Sequence, residues 1–327
     1  MSSNARSSLE RDYYIHAGLS GAAILPLLII WIVPLWIVRT RKDPARVAFI
    51  WLKLLFPVYL ATLGLTVASD IIHASRVYLD ANSRRNPDYV NLNVTSATTF
   101  LGQVADSLLL VTFIELGNGF IFSINRERSS SQKAMRWLAV FLAVALVAVT
   151  LAQLILQQDL IPKMWRAMGN YQDEDFDDSV LEDLANKAMA VEYLAVGYAI
   201  LNRLTSAFVP VYACVVTHKY SAVKACRGCA AIFLSASVLN FIRLVWLMAS
   251  NISLRLTYTF LPDNTTWQLL DIFLNIWAFC VVLALLFSIA VKKDKGLWTI
   301  SQPWMSGVSP AFVERAQSVD RTAPLKT

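Results

Sequence analysis

The sequence predicts an all-α membrane bundle of seven spanning helices, on three observations. The chain has 327 residues, 56% of them hydrophobic, and a mean hydropathy of +0.50, where soluble domains are roughly 45–50% apolar. The excess falls in seven runs of about 20 residues or more, the length that a hydrocarbon core of about 30 Å requires. Basic residues gather at alternate ends of those runs.

Residues 1–14 are polar and contain no short apolar leader core, so the first span, about 15–38, is expected to act as its own anchor. Pro26 and Pro34 are expected to bend it. A short basic loop with Arg39, Arg41, Lys42 and Arg46 precedes the second span, about 47–71, which ends near Asp70 and His73. A polar loop containing Asn86 and Pro87 leads to the third span, about 98–124. The fourth, about 137–156, is almost purely apolar. A long loop follows with Asp173, Glu174, Asp175, Asp177, Asp178, Glu182 and Asp183, leading into a short amphipathic helix. The remaining spans are about 189–216, 229–250 and 267–291. Residues 15–291 thus form one membrane domain, and residues 292–327 a tail expected to be mostly disordered.

Counting lysine and arginine, the loops after spans 1, 3 and 5 plus the tail hold about 17, and the opposite side about nine. The positive-inside rule therefore puts the carboxy terminus in the cytoplasm and the amino terminus in the lumen or outside. The glycosylation sequons at Asn93, Asn251 and Asn264 all fall on that second side. The net charge of +6 is thus a topology signal, and nucleic acid is not an expected partner. Membrane lipid is.

The third span organises the chain. It carries Gln103, Asp106, Glu115 and Asn118, although a charge at the centre of a membrane helix costs roughly 2.5–3.5 kcal/mol on insertion scales. Asp106 and Glu115 are nine residues apart, so at about 100° per residue they face opposite ways and need different neighbours. Depth counted at about 1.5 Å per residue gives two tiers. The outer holds Asp106, Arg243, Asp271 and Glu192; the inner holds Glu115 and Arg203. Ser237, Asn240 and Arg243 form a polar stripe on span 6, and Asp271 and Asn275 lie one turn apart on span 7. Arg243 is expected to pair with Asp106 or Asp271, and Arg203 with Glu115 or Glu192. Two readings stay open. These groups lock helices together, or they line a polar cavity in which Asp106, Glu115 and Asp271 are candidate catalytic acids.

Four cysteines lie in or beside apolar runs, so no disulfide framework is expected. Cys226 and Cys229 have no second ligand pair for zinc, but their place beside Lys224 and Arg227 makes them candidates for S-acylation. The acidic run fits neither an EF-hand nor a paired diphosphate motif. No metal and no cofactor are expected.

The segment Tyr14-Ile15-His16-Ala17-Gly18-Leu19-Ser20, running into Trp31-Ile32-Val33-Pro34-Leu35-Trp36, resembles the start of fungal seven-span proteins of indole-diterpene clusters, of the paxilline synthesis protein A type. The resemblance extends to the layout of spans, acidic loop and sequons. It implies a role in isoprenoid secondary metabolism on an internal membrane such as the endoplasmic reticulum, beside other enzymes of the pathway. That role is accessory or cyclase-like. The alternatives are a receptor-like signalling protein and a carrier of an apolar metabolite. Against the receptor, the third span ends Asn125-Arg126-Glu127-Arg128 rather than Asp-Arg-Tyr, and the seventh lacks Asn-Pro-x-x-Tyr.

Overall fold

The computed structural model describes residues 3–37, 43–76, 81–125, 127–170, 178–220, 224–256, 264–292 and 297. All regular structure among them is helical. The helices are α1 (Ser3–Ile37), α2 (Ala48–Arg76), α3 (Ala81–Asn125), α4 (Ser130–Asn170), α5 (Asp178–Tyr220), α6 (Lys224–Leu256), α7 (Asn264–Asp271) and α8 (Ala278–Val291). A 3₁₀ turn (Pro44–Arg46) precedes α2, and a π-helical turn (Ile272–Trp277) joins α7 to α8 in one rod. Seven helical segments are long and apolar enough to cross a membrane.

Successive helices pack side by side, and the α7–α8 rod closes the ring against α1, α2 and α6. α3 also touches α5 and α6, so it runs through the middle. Its most apolar stretch is 72% buried, against 22% for α4. Phe113 and Phe120 of α3 pack on Phe233 of α6 with ring centroids 6.0 and 5.5 Å apart. Trp137 and Phe141 on α4, and Tyr193 and Phe208 on α5, are exposed instead. Helices apolar on the outside as well as the inside suit a bilayer environment.

The helices outrun the expected spans. α3, α4 and α5 have 45, 41 and 43 residues, or roughly 60–68 Å at 1.5 Å per residue, twice the hydrocarbon thickness. The segment around Asn86 and Pro87, expected as loop, is helical, and so are residues 157–170; the short amphipathic helix expected after the acidic run is continuous with α5 from Asp178. Tertiary packing overrides the local signals here. Leu160, Met164 and Ala167 on α4 recur at helical spacing and face Leu181, Leu184, Ala185 and Ala188 on α5 across a cleft of about 510 Å³. Lys187 bridges Asp183, at 2.8 Å, to Asp159 of α4, at 3.4 Å. Tyr89 of α3 meets Trp165 of α4 at a centroid distance of 6.2 Å. Asp173, Glu174, Asp175 and Asp177 lie outside the described residues. So does the tail, apart from Lys292 and Leu297, and Leu297 is buried in the core rather than free.

The turn before α2 is seated against two helices. Asp43 Oδ1 accepts a hydrogen bond from the Ala45 amide at 3.0 Å, fixing the turn. Arg46 is fully buried, donates from Nη2 to Ala290 O at 2.6 Å and lies 4.6 Å over the Phe49 ring. A cation there compensates the last carbonyls of α8. Burial pulls the Arg46 guanidinium down to about 10, so it still carries its charge at neutral pH. The close approach depends on Gly119, where a Cβ would lie 2.3 Å from Ala45 O.

Gly119→Ala is therefore expected to lower the thermal unfolding temperature in detergent, at a cost of about 1–3 kcal/mol for overpacking against backbone. Gly64→Ala, where nothing lies within 4 Å of the new Cβ, is expected to leave that temperature unchanged or raise it, since alanine is the better helix former by about 1 kcal/mol.

Candidate functional site

Arg243 is 4% exposed in a span of the bundle, and its donors are met from three helices. Nη2 donates to Asp106 Oδ1 of α3. Nε donates to Asn240 Oδ1 one turn back on α6, and Nη1 to Asn275 Oδ1 in the π-helical turn, both at 3.3 Å. The central carbon of the guanidinium lies over the Phe279 ring, 4.4 Å from its centroid, a cation–π arrangement. Phe279 stacks in turn on Tyr59 of α2 at 4.0 Å.

The π-helical turn positions Asn275. An i→i+5 turn displaces the regular hydrogen-bond ladder: the Ala278 amide reaches back to Phe273 O. The Ile276 carbonyl accepts from the Tyr59 hydroxyl at 3.1 Å. Tyr198 of α5 donates to Gln103 O at 2.9 Å, close to Asp106 along α3. Five helical elements thus converge on this level of the bundle.

Asp271 lies beside the cluster but does not reach Arg243. Its Oδ1 accepts from the indole Nε1 of Trp246 at 3.2 Å, and Asn275, a turn further along the rod, takes the guanidinium instead. Asp106 is therefore held by a cation, and Asp271 by a neutral donor.

The inner expectation needs correction. Glu115, 3% exposed, is answered by Arg136 Nε at 2.8 Å, not by Arg203. Arg136 was expected in a loop, but α4 already begins at Ser130 and carries it alongside α3. Arg203 is half-buried and pairs with neither Glu115 nor Glu192, and Glu192 is exposed rather than part of the buried tier. Glu115 is thus held in an ion pair between α3 and α4, outside the Arg243 cluster.

The modification sites fare unevenly. Asn93 lies inside α3, where its Nδ2 donates to Tyr89 O at 2.8 Å, rather than in the surface loop expected of a sequon. The side chains of Asn251, Asn264 and Cys226 lie outside the described residues. Cys229 is 1% exposed and packed in the core, which closes it to acylation.

A second polar group was missed in the sequence. His16 Nδ1 of α1 is 2.6 Å from Asp70 Oδ2 of α2. His73 Nε2 is 2.8 Å from Asn91 Nδ2 of α3, and its ring stacks on Tyr13 at 5.0 Å. Ser69 donates to Asn91 Oδ1 at 2.8 Å. A histidine in an apolar span and an aspartate ending the next one were the available signals. Among the described residues no cluster of ligands could hold a metal ion. No family model, curated protein or solved structure matches the chain.

The pairing of Glu115 predicts a clear asymmetry. Arg136→Ala is expected to destabilise the protein by about 2 kcal/mol or more, because it strands a buried carboxylate. Arg203→Gln is expected to cost less than about 1 kcal/mol. Thermal unfolding of the two variants in the same detergent distinguishes them.

Proposed function

We propose that this chain is a cyclase-like membrane enzyme of fungal isoprenoid secondary metabolism, working inside an internal membrane with its carboxy terminus in the cytoplasm. The observation that carries the reading is the pairing of two differently held carboxyls. Asp106 is fixed by Arg243, while Asp271 is held by the Trp246 indole one turn from Asn275. A chain that keeps this many ionisable groups in apolar spans bears an insertion cost that a function would justify. The isoprenoid substrate class rests on the resemblance of the first span and of the layout.

In this reading Asp271 is the general acid. Its carboxyl proton passes to one carbon of a polyprenyl double bond, or to the oxygen of an epoxide, whose C–O bond then opens. The resulting cation is attacked by a neighbouring double bond, forming a carbon–carbon bond. A proton then leaves an adjacent carbon, so the product is an isomer of the substrate. Asp106 lies at the same level of the bundle, paired with Arg243, whose guanidinium sits over the Tyr59–Phe279 stack. Arg243 holds the carboxylate in place.

Membranes from a host making the protein, supplied with polyprenyl and epoxy-polyprenyl indoles, are expected to yield a product of unchanged mass and new retention. Asp271→Asn should lower that yield by about 10²–10⁴-fold at unchanged protein level, the range for a positioned general acid. A wild-type yield from Asp271→Asn rules the assignment out. Co-purification of a G-protein α subunit, with no product from any substrate, would favour the receptor instead.

A further inference from the structure

We propose that the cleft between α4 and α5 seats one hydrocarbon chain of an uncharged lipid drawn from the adjoining leaflet. The inference goes beyond the cyclase reading and does not rest on it. It stands on a cavity of about 510 Å³ lined only by leucine, methionine and alanine, a volume within the roughly 300–1,000 Å³ of small-molecule sites.

The lining runs over residues 160–167 of α4 and 181–188 of α5. The apolar runs expected to span end near 156 and resume near 189. At about 1.5 Å per residue, the cleft therefore extends from roughly 2 to 16 Å beyond the hydrocarbon. A headgroup layer is about 5–8 Å thick, so the cleft starts in that layer and continues into water. Leu184 is buried, while Leu181, Ala185 and Ala188 are exposed along the opening. Apolar surface facing water there costs about 25 cal/mol per Å², and an apolar cavity takes up apolar molecules. Met189, also exposed, directly follows Ala188. The lining thus passes into the lipid-facing side of the span, which gives a chain its way in.

The charges beside the cleft select an uncharged ligand. Lys163 pairs with Asp159 at 2.7 Å. Lys187 pairs with Asp183 at 2.8 Å and with Asp159 at 3.4 Å. Both lysines are thus matched by carboxylates, and no charged side chain is in the lining. A phosphate seated there would meet no cation in the lining and would lie near exposed Glu182, next to Leu181. The same contacts keep the cleft from closing. The Lys187–Asp159 bridge ties α5 to α4 at the end of the cleft nearer the membrane, and Tyr89 of α3 packs on Trp165 of α4 at 6.2 Å. Both resist a sliding of α4 against α5. Two helices alone form the walls, which suits one chain rather than two.

The test uses the full chain in phosphatidylcholine nanodiscs containing a diazirine-bearing hexadecanol. After illumination, labelled positions are read by mass spectrometry. Label is expected on residues 160–167 and 181–188. Excess unlabelled hexadecanol is expected to remove it, and hexadecyl phosphate to leave it. Exposed Phe208 of α5 reports ordinary lipid contact in the same sample. Ala185→Trp, which fills the cleft, is expected to cut labelling there by about tenfold or more, the effect of a misfit in an apolar pocket. Labelling near Phe208 should not change. Leu181→Asp, at the exposed rim, is expected to give the same loss, and serves if Ala185→Trp does not fold. Cleft labelling that only matches Phe208, in wild type and in whichever variant folds, is annular lipid and overturns the proposal. Equal competition by hexadecyl phosphate overturns the uncharged assignment. A dimer cross-linked through the cleft without probe, and lost in Ala185→Trp, gives the cleft to a second copy of the chain instead. Product is not measured, so these outcomes are separate from failure of the cyclase reading.

Discussion

One buried charge organises this bundle. Arg243 is all but inaccessible within a ring of apolar helices, where an unpaired guanidinium would cost several kcal/mol. Three oxygens from α3, α6 and the π-helical turn answer it. That requirement sets where α3 runs, because Asp106 has to face α6. It also sets the rotation of the α7–α8 rod, because Asn275 has to face inward. A hydrogen-bonded ion pair of this kind contributes little net stability compared with a well-packed apolar core. Its effect is to select one register among the many that smooth apolar helices could adopt.

The π-helical turn is the second element of the same design. It shifts the ladder so that the Ala278 amide reaches Phe273 O. Here Ile276 O accepts from Tyr59, the ring of Tyr59 stacks on Phe279, and Phe279 carries Arg243 on its face. Backbone irregularity, aromatic packing and charge burial therefore occur at one level of the bundle. Around it lie groups of a different kind. Asp271 bonds an indole and His16 bonds Asp70.

The spans were legible because a bilayer imposes a length that soluble packing does not, and each apolar run met it. The opposition of Asp106 and Glu115 followed from helical periodicity alone, and the two do turn to different neighbours, α6 and α4. Other features depend on contacts between segments far apart in sequence. Arg136 read as a loop residue because α4 starts earlier than its apolar run does. The helical extensions of α3 and α4 read as loops because their apolar stripes are sparse and take on meaning only against neighbouring helices, whereas the amphipathic helix expected after the acidic run is present as the first turns of α5. The π-helical turn has no sequence signature. The His16–Asp70 pair joins residues 54 positions apart, a pairing no local pattern encodes.

The organising role of the buried charge is tested most directly by a double-mutant cycle on Asp106 and Arg243, read by reversible unfolding in detergent. Asp106→Asn and Arg243→Gln should each destabilise the bundle by about 3–5 kcal/mol, since each leaves a buried charge without its partner. The double variant, with no charge left to strand, should lose less than the sum by about 2–3 kcal/mol. Additive losses would contradict the pairing and leave Arg243 without the role assigned to it.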